Sequence, residues 1–332
     1  IPYWFGAFIS FGIVVIYVAT SGVRGAAWSD VFQAILMLVI AWILGMYFVQ
    51  KLHGGIGNMF ETINNSNNDF LLIGEEGSAM SKARYSSNII ISMIGFVMWP
   101  HLFTKSYTTT EKRIKTTVAV YPIFALFLLP VLFIGFSGYG IVSSDQIENS
   151  GQILPYLITN YLTESGLLYG IVGAGALAAA MSSSDAITHG ASVSFGRDIC
   201  KAIYSNIPEN IELWIMRGAV FGVGAIAYLI AIFGSEGLIQ LLLGAYGPIA
   251  QLAPAVYASL FFRKVSAMSI IIGLILGVCI TIYYQYFAES TLYDLHAGMI
   301  GLTFNIIAVF IFSYVYKQSD NEIVKAQEFN EI

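Results

Sequence analysis

Two acidic side chains stand where acids are rare, inside long apolar stretches: Asp30 and Asp185. A charge at membrane depth costs about 2.5–3.5 kcal/mol on insertion scales, so such a residue faces a wet cavity, a partner or an ion. Asp185 sits in Ala178-Ala179-Ala180-Met181-Ser182-Ser183-Ser184-Asp185-Ala186-Ile187-Thr188-His189. Helical spacing places Ser182, Asp185, His189 and Ser192 on one stripe. Just upstream, Gly173, Ala174, Gly175 and Ala176 offer no bulk, and small residues let helix backbones approach closely. Carbonyl and hydroxyl oxygens at close quarters beside one carboxylate are what a hard cation such as Na⁺ needs. Serines also pack helices with no ligand at all. His189 reads equally as a proton relay or as an ordinary polar residue near a helix end.

Asp30 lies in Trp28-Ser29-Asp30-Val31-Phe32-Gln33, with Gln33 one turn further along the same face. Its plain alternative is a helix-start acid favoured by the helix dipole. A third feature is Met98-Trp99-Pro100-His101. Proline inside a span removes a backbone donor and frees a carbonyl, and broken helices near mid-membrane are where transporters bind substrate. Trp99 and His101 are therefore candidates to line a substrate route, against the alternatives of a simple kink and an interfacial Trp. No His/Cys/Asp cluster has zinc spacing. No phosphate-binding Gly loop and no GxSxG elbow appears, so the reading is not an enzyme.

The elements that must position these residues follow from composition. Hydrophobic residues make up 57% of the 332 residues and charged residues 11%, against roughly 25% charged in soluble domains. That predicts an all-α polytopic membrane protein. A β-barrel would alternate apolar and polar residues and would not show long apolar runs. With Lys+Arg at 15, Asp+Glu at 20 and no basic patch, nucleic acid is not an expected partner. A membrane helix needs about 20 mostly apolar residues, and nine stretches qualify: 3–22, 27–49, 86–104, 114–139, 166–199, 213–233, 237–262, 267–287 and 296–316, called spans A to I. The linker 140–165 contains Ile153–Leu162, predicted as a short surface helix. The chain begins with Ile, in the middle of what reads as a helix entrance, so a preceding N-terminal part is expected.

Cytoplasmic loops carry an excess of Lys and Arg. With the N-terminus outside, Arg24, Lys105, Lys112, Arg113, Lys115, Arg197, Lys201, Arg217, Arg263, Lys264, Lys317 and Lys325 fall inside, and only Lys51, Lys82 and Arg84 fall outside. The C-terminus is then cytoplasmic and the location is the cell membrane.

Several segments resemble the sodium:solute symporter family. Thr20-Ser21-Gly22-Val23-Arg24-Gly25-Ala26-Ala27-Trp28-Ser29-Asp30-Val31-Phe32-Gln33 is similar to its "GG-hydrophobic-R-A-V-x-W-T-D-x-x-Q" segment, and Ala179-Ala180-Met181-Ser182-Ser183-Ser184-Asp185 to "A-x-M-S-T-A-D". Arg197-Asp198-Ile199 resembles "R-D-I", Pro100-His101 with Lys105 resembles "P-H-x-x-x-R", and Leu260-Phe261-Phe262-Arg263-Lys264 resembles "L-F-W-K-K". Ser21, Gly25, Ser29, Ser183 and Lys105 depart from the pattern. Ser for Thr keeps the hydroxyl. Lys for Arg keeps the charge but loses the bidentate fork, which leaves that residue's partner open.

The resemblance implies a LeuT-type inverted-repeat transporter core with sites at mid-membrane. Residues 1–49 would be the last two helices of the first repeat, 86–262 the second five-helix repeat, 267–316 two additional transmembrane helices and 317–332 a cytoplasmic tail. It implies Na⁺ as coupling ion, with Ala179, Ser182 and Ser183 as this chain's half of a sodium site. Independently of the resemblance, the similar depth of Asp30 and Asp185 in antiparallel spans B and E places both on the ion pathway, and the proline break places Trp99 and His101 on the substrate pathway; a looser match to the family adds Gln240 there. The expected function is Na⁺-coupled import of a small organic solute (an amino acid such as proline, a carboxylate or similar) by alternating access. The alternatives are an H⁺-coupled carrier of the same fold using Asp185 and His189, and the membrane part of a transporter-like sensor. The solute and the oligomeric state are not legible.

Overall fold

In the computed structural model every regular element among the described residues is helical. Description excludes residues 1, 67, 75–79, 107–108, 127, 144, 148–149, 163–165, 235–237, 263 and 331–332. It also excludes the side chains of 21–26, 68–69, 104, 106, 124, 168, 238–240 and 326–330. The side chains of Arg24 and Gln240 and the whole of Arg263, all named above, thus lie outside the described residues.

The helices are α1 Tyr3–His53, α2 Ile56–Ser66, α3 Lys82–Phe96, α4 Pro100–Ser106, α5 Glu111–Leu126, α6 Leu129–Ser137, α7 Ile153–Tyr161 and α8 Gly166–Val193. They continue with α9 Lys201–Ile203, α10 Glu209–Phe233, α11 Leu238–Ala250, α12 Ala253–Phe261, α13 Ala267–Tyr286, α14 Ala297–Val315 and α15 Asp320–Asn330. The chain divides into two compact units. One comprises residues 1–66 and 100–235, the other 67–99 and 236–332.

Spans A and B share the single helical assignment of α1, 51 residues long, yet α1 is not straight. The Tyr17 hydroxyl lies 3.4 Å from Ser29 Oγ. Twelve residues of straight helix rise about 18 Å, more than these two side chains bridge. The neighbours show the reversal. Val14, Val15 and Val18 pack with Met181, and Val18 to Thr20 share a cavity with His189, Ser192 and Val193, so the first arm runs parallel to α8. Ser29 meets Asp185 and Ile40 meets Gly175, so the second arm runs antiparallel to it.

The expectation of nine spans is not met as nine helices. Among the described residues seven helical stretches are long and apolar enough to cross a membrane: Tyr3–Thr20, Ala27–His53, Tyr169–Ile203, Glu209–Phe233, Leu241–Phe261, Ala267–Tyr286 and Ala297–Val315. Span C is two shorter helices, α3 and α4, and span D is α5 and α6. Proline is the cause in both. It suits the first turn of a helix, where its missing N–H has no partner to lose. Pro100 opens α4, and Pro130 sits in the first turn of α6.

In the first unit, Ile40, Leu44 and Phe48 of α1 bury against Ile134 of α6 and against Leu157, Ile158 and Leu162 in and after α7. The short helix expected at Ile153–Leu162 is α7, Ile153–Tyr161, and its apolar face joins this core. The end of α8 widens into a π-helical turn, Ser194–Cys200. There Arg197 and Lys201 each lie 3.2 Å from Glu212 of α10.

In the second unit, α13 and α14 pack through glycines. A Cβ on Gly301 would stand 2.1 Å from Thr281 Oγ1, and one on Gly277 2.8 Å from the Asn305 Cβ. Fully buried Gln251, in the turn between α11 and α12, donates from Nε2 to Gly247 O, Thr281 Oγ1 and Gly298 O at 3.0–3.2 Å. Asn305 Nδ2 donates to the Gln251 backbone and side-chain oxygens at 2.9 and 3.2 Å. Such a network holds helices in one register because breaking it strands buried polar groups.

The loop before α14 is clipped to α3 by Asp294, which accepts from the Ser81 hydroxyl and from Arg84 Nη2 at 3.0 Å. The Ser81 bond first, and then Arg84, hold this carboxyl below its usual 3.8. A depressed folded pKa gives stability that is complete above the unfolded value and is lost as pH falls through the folded one. The expected outcome is a melting temperature in detergent that declines as pH drops below about 4, with Asp294→Asn less stable at pH 6 and flatter in that acidic range. Parallel curves for the two proteins would remove the clip's role.

Candidate functional site

The site is built on α8 and the second arm of α1. Ser182 Oγ donates to the Ala179 carbonyl at 3.2 Å, and Ser184 Oγ to the carbonyls of Ala180 and Met181 at 2.9 and 3.2 Å. These back-bonds satisfy hydroxyls without any other helix. Ser183 is exposed and has no hydrogen-bond partner among the described residues. One turn therefore carries the Ala179 carbonyl and the Ser182 and Ser183 hydroxyls, all hard neutral oxygens.

One turn further, Asp185 has no exposed surface. One carboxylate oxygen accepts from Ser29 Oγ at a long 3.5 Å. The other meets no donor among the described residues. Ser29 in turn touches the Tyr17 hydroxyl. Asp30, beside Ser29, is held differently: Lys105 Nζ of α4 lies 3.0 Å from its Oδ2, and the side chain is 25% exposed. Its Oδ1 and the Oε1 of buried Gln33, one turn on, also lack donors among the described residues. Each unsatisfied buried acceptor costs about 1–3 kcal/mol. Carboxylate, carbonyl and hydroxyl oxygens are the donor types a hard cation takes, so the residues present fit Na⁺.

Beyond Asp185 the same stripe continues. His189 and Ser192 line a cavity of about 610 Å³ whose walls also carry Thr20, Arg197, Lys201, Glu212 and Arg217. The stripe thus leads from the serine turn past a buried carboxylate to an open, charged end.

Of the residues tied to the solute, His101 lies against α8, where a Cβ on Gly190 would come 3.1 Å from its Cβ. Trp99 stands edge-on to Tyr246 of α11, with ring centroids 5.9 Å apart at 84°. Gln240 is on α11, with its side chain outside the described residues.

Sequence reasoning left the partner of Lys105 open, and it is Asp30. It missed Tyr17, which has no local signal: one tyrosine among 20. It also missed Glu212, buried to 5% exposure between Arg197 and Lys201. An acid at the edge of an apolar span, facing the Arg-Asp-Ile end of the preceding one, was the available cue.

The sodium:solute symporter family model matches residues 1–277. An uncharacterized symporter of Bacillus subtilis, YhjB, is 29% identical over 95% of this chain and 65% of its own length. The sodium/sialic acid symporter NanT of Aliivibrio fischeri is 23% identical over 93% of this chain and 63% of its own length. Among solved structures, a Na⁺-coupled sialic acid symporter in its substrate-bound outward-open state superposes with a TM-score of 0.70 at 20% identity, covering 96% of this chain and 69% of that one. The fold is therefore that of a LeuT-type transporter, and the chain spans just under two thirds of the two relatives' lengths.

Proposed function

The chain belongs to the sodium:solute symporter family, a family of multi-pass membrane transporters and not of enzymes, and from that premise we propose that it works as a Na⁺-coupled importer of a small organic solute. One observation carries the reading: a turn of hard oxygens at Ala179, Ser182 and Ser183 lies one turn from a fully buried carboxylate, Asp185, that has no cationic partner among the described residues. Sodium would sit at the serine turn and leave past Asp185 and Asp30 toward the charged cavity. The bound ion supplies the coupling. Each ligand favours the state that binds the other, so Na⁺ and solute raise each other's affinity.

The twelve-to-three split of basic residues supports a cytoplasmic C-terminus at the cell membrane, with residues 1–49 closing a first repeat and 86–262 forming the second. Trp99, His101 and Gln240 are the residues proposed to meet the solute. Relatives carry different solutes, among them sialic acid, proline and choline, so the class is a small polar or zwitterionic organic molecule.

A second reading, H⁺ coupling, draws on Asp185 and His189 sharing one stripe. The test is uptake of a radiolabelled solute panel into proteoliposomes holding the protein, at fixed pH, with and without a Na⁺ gradient. Uptake of at least one solute that needs Na⁺ supports sodium coupling. Uptake unchanged without Na⁺ but driven by a pH gradient replaces it with the second reading.

The Asp30–Lys105 pair gives a separate expectation. The ammonium occupies one oxygen of Asp30, so Lys105→Met leaves that carboxylate open to a mobile cation. The Na⁺ concentration for half-maximal uptake should fall several-fold, while Lys105→Arg stays near the parent. A neutral substitution that leaves Na⁺ activation unchanged would show that the pair is structural only.

A further inference from the structure

Along one side of the second unit, α12 and α14 leave an open groove of about 830 Å³. Its floor is apolar: Ala253, Tyr257 and Phe261 on one helix, Leu302, Ile306 and Phe310 on the other. On α14 the lining runs from Leu302 to Tyr314, twelve residues or about 18 Å of helix. That is close to the depth of one leaflet, half of a hydrocarbon core about 30 Å thick.

Polarity is confined to one end. Ser313 spends its hydroxyl on Val309 O and Ser269 Oγ. Lys264, at the mouth, is exposed and has no ion-pair partner among the described residues. The carboxylate of Glu322 is engaged, accepting from the backbone N–H groups of Ala267 and Ser319 at 2.8 and 2.6 Å.

We propose that this groove holds an acyl chain of an anionic phospholipid, with the phosphate at Lys264. A cation at the lipid–water boundary and an apolar slot one leaflet deep match the two ends of such a molecule, and a basic pocket between helices on the cytoplasmic side favours anionic headgroups. The proposal rests on the chain crossing a membrane and not on its coupling ion, so it can fail while the transport reading stands.

The experiment strips the purified protein of lipid, exposes it to equal amounts of palmitoyl-oleoyl phosphatidylglycerol and phosphatidylcholine, and counts retained lipids by native mass spectrometry. The parent protein should keep phosphatidylglycerol about fivefold over phosphatidylcholine, as one basic residue near a membrane surface supports. Lys264→Gln should abolish the preference while leaving a zwitterionic adduct. Ile306→Trp, at a position 52% exposed and so tolerant of size, should block the slot and lower retention of both lipids, with an unchanged melting temperature as the folding control. Equal retention by the parent, a preference that survives Lys264→Gln, or full retention in Ile306→Trp would each overturn the proposal. So would no retained lipid at all, the outcome if another stretch of polypeptide or detergent fills the groove.

Discussion

Ser183→Ala is expected to raise the Na⁺ concentration for half-maximal uptake about tenfold, with little change in solute affinity at saturating Na⁺. The reason is local. Ser183 has an exposed hydroxyl with no hydrogen-bond partner among the described residues, so its removal strands no donor and opens no cavity. What is lost is one oxygen for the ion. An interaction with a charged group contributes about 1.5–3 kcal/mol, and 1.4 kcal/mol is tenfold in an equilibrium constant. Ser184→Ala is the control: that hydroxyl already back-bonds to Ala180 and Met181, and its loss should leave Na⁺ activation near the parent value. The measurement is initial uptake against Na⁺ concentration in proteoliposomes, with the folded fraction checked by gel filtration. Equal Na⁺ curves for Ser183→Ala and the parent would remove Ser183 from the site, and a larger shift in Ser184→Ala would move the site by one residue.

Gly301→Val is expected to remove most of the folded protein. Even the first carbon of a new side chain would lie 2.1 Å from Thr281 Oγ1, 2.5 Å from the Gly277 carbonyl and 3.3 Å from Gln251 Nε2. A flexible side chain could move aside, but a backbone carbonyl of the packed partner helix cannot without separating α13 from α14. Overpacking a well-packed interior costs about 1–3 kcal/mol and occasionally more. Here the separation also disturbs the buried junction in which Gln251 Nε2 donates both to Thr281 Oγ1 of α13 at 3.2 Å and to Gly298 O of α14 at 3.0 Å. Thr281→Ala should not rescue Gly301→Val, because the Gly277 carbonyl remains. In contrast Gly135, with nothing within 4 Å of its would-be Cβ, should accept Ala with little change. Fluorescence-detected gel filtration and a melting curve read both outcomes. A Gly301→Val protein that elutes and melts like the parent would mean that the two helices do not approach this closely.

Much of this protein was legible without coordinates. Composition and apolar run lengths set the membrane class, because only a lipid solvent tolerates 57% hydrophobic residues in runs of 20 or more. The type of the candidate ligands was also written locally. Ala179, Ser182 and Ser183 lie within about one turn of one helix, and Ser182 and Asp185 share a stripe, so both neighbourhoods follow from about 3.6 residues per turn alone. Pro100 marked a break, and the structure shows it as a helix start; Pro130, which was not read from the sequence as a break, is another. What run length could not show was that these breaks leave spans C and D as pairs of short helices: hydropathy averages over a window and does not register where a backbone hydrogen bond is missing.

The pairings belong to the tertiary structure. Asp30 meets Lys105 across 75 residues, and Ser29 meets Asp185 across 156. Nothing in the spacing of either pair points to the other, because helix packing depends on which faces meet and not on distance along the chain. The two acids looked alike in sequence, each alone in an apolar run. Tertiary structure made them different, one tied to an ammonium and the other buried beside hydroxyls with an oxygen left over. The same holds for Gly298, Gly301 and Gln251, ordinary residues of an apolar sequence until the close approach of α11, α13 and α14 turned two of them into a requirement for no side chain and the third into a buried hydrogen-bonded junction.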